Sequence, residues 1–130
     1  MIKGGFMDLN VSIQKKASNL FIVSLKGSLD TNTYAQLQTE IDKLLEEMPN
    51  TITLDMEHLD YISSAGVRVV LKTKVALEKN NGDLYLLHMK PQINKVFDII
   101  NALPLMKVFT SIQELDEYLD TMQKKMINEM

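Results

Sequence analysis

Residues 51–71 read TITLDMEHLDYISSAGVRVVL and contain the junction on which the fold depends. The run Thr51–Leu54 has the composition of a buried strand, and a short polar connection follows it. Ser63 and Ser64 then precede an amphipathic segment that we expect to be a helix over residues 65–79. A helix N-terminus has unpaired N–H groups and partial positive charge, so a serine caps it well and a phosphate is tolerated there. The pattern predicts a strand, a loop and a helix, with the loop acting either as an ordinary cap or as a phosphorylation site.

The chain before this junction predicts a β-hairpin and one helix. Residues 8–16 alternate apolar and polar side chains, as a half-buried strand does, and residues 20–26 form a more continuously apolar strand. The turn expected at residues 17–19 is short enough to make the two strands antiparallel. A helix is expected over residues 33–47, stopped by Pro49. Its predicted buried stripe is Tyr34, Leu37, Ile41, Leu44, Leu45 and Met48.

The chain after the junction predicts two further strands and two further helices. Residues 84–87 are apolar enough for a strand covered on both faces, and residues 107–109 fit a short edge strand. Pro91 suits the first turn of a helix, and Ser111 with Glu114 resembles a capping box for the last helix. The predicted inward residues of the helix at 65–79 are Val67, Val70, Leu71 and Leu77. Those of the next helix are Ile93, Val96, Phe97 and Ile100, and those of the last are Ile112, Leu115, Tyr118 (or Leu119) and Met122.

The resulting order, β-β-α-β-α-β-α-β-α, predicts an α/β fold with about four helices. After the antiparallel hairpin, strands alternate with helices, so the sheet should be mixed but mainly parallel. In such sheets, functional residues collect in loops after the carboxyl ends of the strands. Asp30 and Ser64 both follow predicted strands, and they should lie together if those strands are neighbours.

Composition narrows the class of protein. A chain of 130 residues predicts one domain over 1–130, with 1–7 as a flexible extension and 124–130 as a frayed end. Because there is no cysteine, disulfides and thiolate metal sites are excluded. The net charge is −3 and no strong basic block stands out, which argues against nucleic acid. The start of the chain lacks the apolar run of a signal peptide, and no segment approaches the roughly 20 apolar residues of a membrane span, so we expect a cytoplasmic protein without direct membrane insertion.

The sequence offers little support for an enzyme or a cofactor site. His58 and His88 have no neighbouring cysteine or histidine, so metal binding is not expected. Neither a nucleophile elbow nor a glycine-rich phosphate loop is found. The acidic residues Asp55, Glu57 and Asp60 fit a solvated loop better than a cation site. We therefore expect neither a catalytic residue nor a cofactor.

Two motifs in this order resemble the STAS domain family, and within it the single-domain anti-sigma-factor antagonists of bacteria. Gly27-Ser28-Leu29-Asp30 is similar to the family's Gly-x-Leu-Asp turn. Residues 59–67, Leu-Asp-Tyr-Ile-Ser-Ser-Ala-Gly-Val, are similar to the family's segment apolar-x-Asp-Ser-Ser/Ala-Gly-Leu. The resemblance covers nearly the whole chain in the order of its elements.

The resemblance implies a function in partner switching. In the family, the serine two residues before the glycine is phosphorylated, and here that residue is Ser64. The preceding residue is usually aspartate, whereas this chain has Ser63, a rival acceptor. The implied partners are an anti-sigma-factor serine kinase with a histidine-kinase-like ATPase fold and a PP2C-type phosphatase. The implied partner-binding residues are Asp30, Thr31, Asn32, Ser63, Ser64, Ala65, Gly66 and Arg68.

Other interpretations of these residues stay open from the sequence. Ser64 can be only an N-cap, Asp30 only a turn residue, and Arg68 only a solvated helix residue. Gly66 can serve simple packing as well as a close approach of chain segments. STAS domains also occur as constitutive docking subunits of transporters or other complexes, in which no phosphoserine switch is needed. A small serine hydrolase would need a base near Ser63 or Ser64 that the sequence does not supply.

Overall fold

The computed structural model describes residues 8–17 and 19–128, with side chains as far as residue 125. The predicted extension at 1–7, the middle of the predicted turn at Ser18 and the last two residues lie outside the described part. The strands are β1 (Leu9–Ala17), β2 (Leu20–Leu29), β3 (Thr51–Ile62), β4 (Asp83–Leu87) and β5 (Lys107–Phe109). The helices are α1 (Tyr34–Leu45), α2 (Ser64–Glu78), α3 (Pro91–Ile99) and α4 (Ile112–Asn128), with a 3-10 turn at Leu103–Leu105.

The strands form one five-stranded sheet in the order β1-β2-β3-β4-β5. β1 and β2 are antiparallel, and the pairs β2–β3, β3–β4 and β4–β5 are all parallel. The predicted fold class and element order are therefore confirmed. β2 and β3 are neighbours, which brings their carboxyl ends to the same edge of the sheet.

β3 is much longer than the sequence predicts. The expected strand ends at residue 55, but β3 continues to Ile62 in place of a polar connection. It carries one extra residue opposite the step between Ser24 and Lys26, and a second opposite the step between Gly27 and Ser28. These irregularities break the two-residue alternation that identifies a strand in a sequence. The buried residues of this half of β3 are Met56, Leu59 and Ile62.

The core lies mainly on one face of the sheet. There, α1, α2 and α3 pack buried side chains such as Leu37, Val70 and Phe97 against the strands. A smaller cluster joins β4 and β5 to α4 and contains Tyr85, Leu87, Phe109 and Leu115, with Tyr118 and Leu119 packed beside it. Leu84 and Leu86 belong to the main core, while Tyr85 and Leu87 belong to the second cluster. This confirms the prediction that β4 is covered on both faces.

Most residues of the predicted helix stripes are buried or half-buried, and four of the five that are not lie at or just beyond a helix end. The residues predicted inward but found exposed are Tyr34, Met48, Ile100, Ile112 and Met122. Met48 and Ile100 follow the last residues of α1 and α3, while Tyr34 and Ile112 begin α1 and α4. The helical spacing of apolar residues can continue in the sequence beyond the last turn that packs against the sheet. Periodicity alone therefore predicts too much burial at helix ends.

Two predicted helix starts are confirmed. Pro91 occupies the first turn of α3. At α4, the Glu114 N–H donates to the Ser111 hydroxyl over 3.1 Å, while the Glu114 carboxylate accepts from the Thr110 hydroxyl over 2.9 Å. Within residues 8–17 and 19–128, no helix combines the length and apolarity needed to cross a bilayer.

Candidate functional site

Asp30 organises the turn between β2 and α1. Its carboxylate accepts the Asn32 N–H over 2.9 Å and the Ser28 hydroxyl over 3.0 Å. The Thr33 hydroxyl accepts the Asp30 N–H over 2.9 Å and donates to the Ser28 carbonyl over 2.8 Å. Asp30 is thus the turn residue that the sequence allowed, and this network leaves Thr31 and Asn32 exposed at the end of the sheet.

The same network sets the charge of Asp30. Partial burial opposes ionisation of this carboxyl, but the hydrogen bonds from Asn32, Ser28 and Thr33 favour the charged form and lower its pKa overall. Asp30 is therefore a fixed negative charge at neutral pH. It directly follows β2, which is the strand next to the one that leads to Ser64.

The carboxyl ends of β2 and β3 are joined by the main chain. Leu29 pairs with Ile62, and the Ser63 N–H donates to the Leu29 carbonyl over 2.9 Å. The two extra residues in β3 set the register so that Ile62, the residue before Ser63, lies opposite Leu29, the residue before Asp30. The structure therefore places the Asp30 turn and the two serines together at one edge of the sheet.

The two serines differ in access to solvent. Ser63 is the N-cap of α2, with extended backbone angles (φ −102°, ψ 175°), and its carbonyl accepts the Val67 N–H over 3.0 Å. Its Oγ is buried and has no hydrogen-bond partner in the described structure. Ser64 is the first residue of α2 and is exposed. The alternative in which Ser64 caps the helix is wrong, because Ser63 occupies the cap position.

The N-terminus of α2 is left open to an anion. The Ser63 side chain makes no capping hydrogen bond, and the first turn carries no acidic residue. The first N–H groups of an α-helix have no partner within the helix. No side chain of the described residues accepts a hydrogen bond from these N–H groups of α2, so the field at this end is positive and Ser64 lies within it.

Gly66 allows α2 to lie directly against the strand ends. A Cβ built on Gly66 would fall 2.7 Å from Leu29 Cγ, 2.8 Å from Ile62 Cγ1 and 2.9 Å from the Leu29 carbonyl oxygen. Ala65 is also buried. Both were expected in the partner surface, but Gly66 has no side chain and that of Ala65 is buried, so they can contribute only main-chain atoms.

Arg68 lies one helical turn after Ser64, on the same side of α2. It is exposed and forms no ion pair within the described residues. The site thus combines a fixed carboxylate at Asp30, an exposed hydroxyl at Ser64 and a free cation at Arg68. No general base lies within hydrogen-bonding distance of either serine hydroxyl in the described residues.

Sequence reasoning missed the aromatic residues at this edge. Tyr61, at the end of β3, is 53% exposed, and Tyr34, at the start of α1, is 41% exposed. Asp60 forms an ion pair with Lys90 that ties β3 to the start of α3. The end of β3 was expected to be a polar loop, so no pattern indicated that a strand would hold Tyr61 in a fixed position beside the serines.

A second group of polar side chains is formed by two residues of β3 and the residue that follows β4. The His88 Nδ1 lies 3.0 Å from the Asp55 Oδ1. One side-chain oxygen or nitrogen atom from each of Asp55, Glu57 and His88 lies within 4.8 Å of the other two, close enough for the three to share a metal ion. The sequence offered no partner for His88 because 33 residues separate it from Asp55. Asp55 Oδ1 also accepts the Glu57 N–H over 3.1 Å, so this group ties β3 to the residue after β4.

Comparison with known proteins identifies relatives that are named as anti-sigma factor antagonists. BtrV of Bordetella bronchiseptica, a proposed anti-sigma factor antagonist, is 34% identical over 96 residues, which cover 74% of this chain and 83% of BtrV. The anti-sigma-B factor antagonist of Staphylococcus aureus is 27% identical over 101 residues, which cover 77% of this chain and 94% of that protein.

Solved structures of the anti-sigma factor antagonist SpoIIAA match the fold in two states. The unphosphorylated form aligns with a TM-score of 0.74 at 25% identity and covers 85% of this chain and 97% of SpoIIAA. The phosphorylated Bacillus form aligns with a TM-score of 0.66 at 25% identity and covers 84% of this chain and 99% of that one. The STAS domain model matches residues 10–115. This match spans the sheet and the Asp30–Ser64 site, and the chain belongs to the STAS domain family.

Proposed function

We propose that this protein is an anti-sigma-factor antagonist controlled by phosphorylation of Ser64. The observation that carries the proposal is the exposed Ser64 hydroxyl at the open N-terminus of α2, beside the Asp30 turn. In the unphosphorylated state this surface binds an anti-sigma factor, which then releases its sigma factor. The names of BtrV, the S. aureus antagonist and SpoIIAA support the role, and the two SpoIIAA forms support a phosphorylated state.

Ser64 is a better acceptor than Ser63 on physical grounds. A kinase must bring the γ-phosphorus of ATP in line with the attacking hydroxyl oxygen. The Ser63 Oγ is buried, so α2 would have to move before a kinase reached it. The Ser64 side chain needs no such movement.

A phosphate on Ser64 should leave the fold intact. It adds nearly two negative charges at neutral pH. The open end of α2 stabilises a nearby anion by about 0.3–1 kcal/mol, and Arg68 lies one turn away. A partner surface that is complementary to a neutral hydroxyl has no group to stabilise the phosphate. An unpaired charge buried at such an interface costs about 2–5 kcal/mol of binding free energy. Because the second free energy is larger, phosphorylation should abolish the complex without unfolding the domain.

The chain acts in this cycle as a substrate and a binding module. The anti-sigma factor, a serine kinase with a histidine-kinase-like ATPase fold, supplies ATP and Mg²⁺ and transfers the phosphoryl group to Ser64. A PP2C-type phosphatase removes it. The exposed residues Thr31, Asn32 and Tyr61, together with the half-buried Asp30, form the rim against which the kinase positions Ser64.

The proposal is tested with the protein's partner kinase, captured from its own organism and then purified. Wild type should bind the kinase and gain one phosphate, mapped to Ser64 by tandem mass spectrometry. Ser64→Ala should bind without being phosphorylated, and Ser64→Asp should lose at least about tenfold in affinity while keeping its melting temperature. Ser12→Asp, an exposed serine on β1, is the matched control and should bind normally.

Three results would contradict the proposal. The first is equal kinase binding by Ser64→Asp and wild type. The second is a phosphate mapped to another residue, such as Ser63. The third is capture of a transporter complex with no kinase, which would favour the constitutive docking role instead.

A further inference from the structure

The outer face of α2 carries an unusual charge distribution. Arg68, Lys72 and Lys79 lie on one side of the helix, at intervals of four and seven residues. All three are exposed, and none of their side chains has an ion pair or hydrogen bond within the described residues. The one acidic residue of α2, Glu78, is paired with Lys74 over 2.6 Å. A chain with a net charge of −3 therefore presents an uncompensated positive face along one helix.

The cations surround a shallow apolar hollow. The hollow has a volume of about 370 Å³ and is lined by Arg68, Leu71, Lys72, Val75, Ala76 and Lys79. Val75 is 52% exposed, although it is a β-branched apolar residue in the middle of a helix. Leu71 and Ala76 are half-buried and form the floor. An apolar floor with a cationic rim is complementary to a surface that is apolar at its centre and acidic at its edges.

We propose that this face of α2 docks an acidic amphipathic helix of a partner protein. The main-chain groups of α2 are used within the helix, so docking must occur through side chains, as when two helices pack. From Arg68 to Lys79 the face extends for about 16 Å, or three turns, which matches a short helical segment. Apolar residues of that segment fill the hollow over Val75, and its carboxylates pair with Lys72 and Lys79.

A membrane surface fits this face less well. Polybasic membrane sites generally use clusters of about four to eight cations, and interfacial helices add large aromatic or aliphatic side chains. Here three cations surround one exposed valine. The inference also differs from the proposed switch, because it does not require Ser64 to be modified or even to contact the partner.

Two synthetic peptides of about 18 residues test the inference, since that length forms a helix of about 27 Å. One has leucines on one face and glutamates on the other, and the matched peptide replaces each glutamate with lysine. The full chain is titrated with each peptide and followed by ¹H–¹⁵N correlation spectra at about 50 mM and 500 mM NaCl. The glutamate peptide should shift the amide signals of residues 68–79, and its affinity should fall by at least about tenfold at high salt.

Variants separate this surface from the rest of the chain. The double variant Lys72→Glu/Lys79→Glu should lower the affinity for the glutamate peptide at least about tenfold. Lys95→Glu, an exposed cation on α3 without an ion pair, should not change its affinity. Ser64→Asp should also bind the peptide normally, so a failure of the phosphorylation proposal would leave this result unaffected.

The inference is overturned if both peptides bind equally, if the shifts lie outside α2, or if charge reversal has no effect. Sedimentation with phosphatidylserine–phosphatidylcholine vesicles provides a further check. Binding to these vesicles that Lys72→Glu/Lys79→Glu abolishes, with no peptide binding, would assign the face to a membrane instead.

Discussion

The Ser63 N–H donates to the Leu29 carbonyl over 2.9 Å, and this hydrogen bond joins the ends of β2 and β3 where α2 begins. It holds the Asp30 turn next to the serine pair. Leu29 and Ile62, at these two strand ends, also limit how closely a residue at position 66 of α2 can approach, because their atoms are the nearest to a Cβ built on Gly66. A partner that binds here meets two loops held in one fixed arrangement.

Gly66→Ala should destabilise the domain by about 1–3 kcal/mol. The added Cβ would lie 2.7–2.9 Å from atoms of Leu29 and Ile62, so α2 must shift outward or the side chains must leave their rotamers. Urea unfolding followed by circular dichroism measures the change. Ser64→Ala, two residues away and exposed, is the control and should change stability by less than about 0.5 kcal/mol. Equal stability of Gly66→Ala and wild type would mean that α2 does not pack this closely.

The two serines at helix starts should respond differently to alanine. The Ser111 hydroxyl accepts the Glu114 N–H, so Ser111→Ala should lose about 1 kcal/mol of unfolding free energy. The Ser63 hydroxyl is buried without a partner, so Ser63→Ala removes an unsatisfied group and should be neutral or stabilising. Thermal and urea unfolding of the two variants compare them directly. A loss of about 1 kcal/mol in Ser63→Ala would show that its hydroxyl caps α2 after all.

Asp30→Ala should destabilise the domain by about 1–2 kcal/mol at pH 7, because the turn loses the carboxylate that accepts from Asn32 and Ser28. The difference from wild type should also depend on pH. Burial alone would raise the pKa of Asp30, but its hydrogen bonds together lower that pKa by a larger amount. The pKa in the folded state therefore lies below the unfolded value of about 4. The ionised group therefore stabilises the fold fully above about pH 4, and this contribution is lost as the pH falls through the folded pKa.

Urea unfolding of wild type, Asp30→Ala and Asp30→Asn between about pH 7 and pH 3 measures this effect. The gap between wild type and each variant should narrow at the acid end. Asn retains a neutral acceptor, so Asp30→Asn should be more stable than Asp30→Ala at neutral pH. A gap that stays constant down to pH 3 would mean that the charge of Asp30 contributes nothing to stability.

Tyr61→Ala should weaken binding of the anti-sigma factor by about tenfold or more while leaving the domain folded. Tyr61 is 53% exposed beside the serine pair, and exposed aromatic residues often contribute most of the binding energy of an interface. Calorimetric titration with the purified partner kinase measures the affinity. Ile99→Ala, which removes a more exposed apolar side chain at the end of α3, should leave the affinity unchanged. Similar losses in both variants would argue against a localised interface.

Local patterns were enough to predict most of the fold. The strand over residues 20–26, the two-sided strand at 84–87, Pro91 and the capping box at Ser111 all depend on side chains a few residues apart. The β3 extension could not be predicted in this way, because its bulges are stabilised by pairing with β2 rather than by a repeating pattern of its own. The contact of His88 with Asp55 depends likewise on β3 and β4 lying side by side.

The sequence by itself determined the order of the elements, the family motifs and the presence of hydroxyls where β3 meets α2. Only the tertiary structure decided that Ser63 is covered and Ser64 exposed. It also decided that α2 presents to solvent a cationic face that no acidic side chain of the described residues pairs with. The physical reason is that solvent access depends on which neighbouring elements pack against a residue. For Ser63 and Ser64, adjacent in the chain and identical in chemistry, that packing at the ends of β2 and β3 is the whole difference.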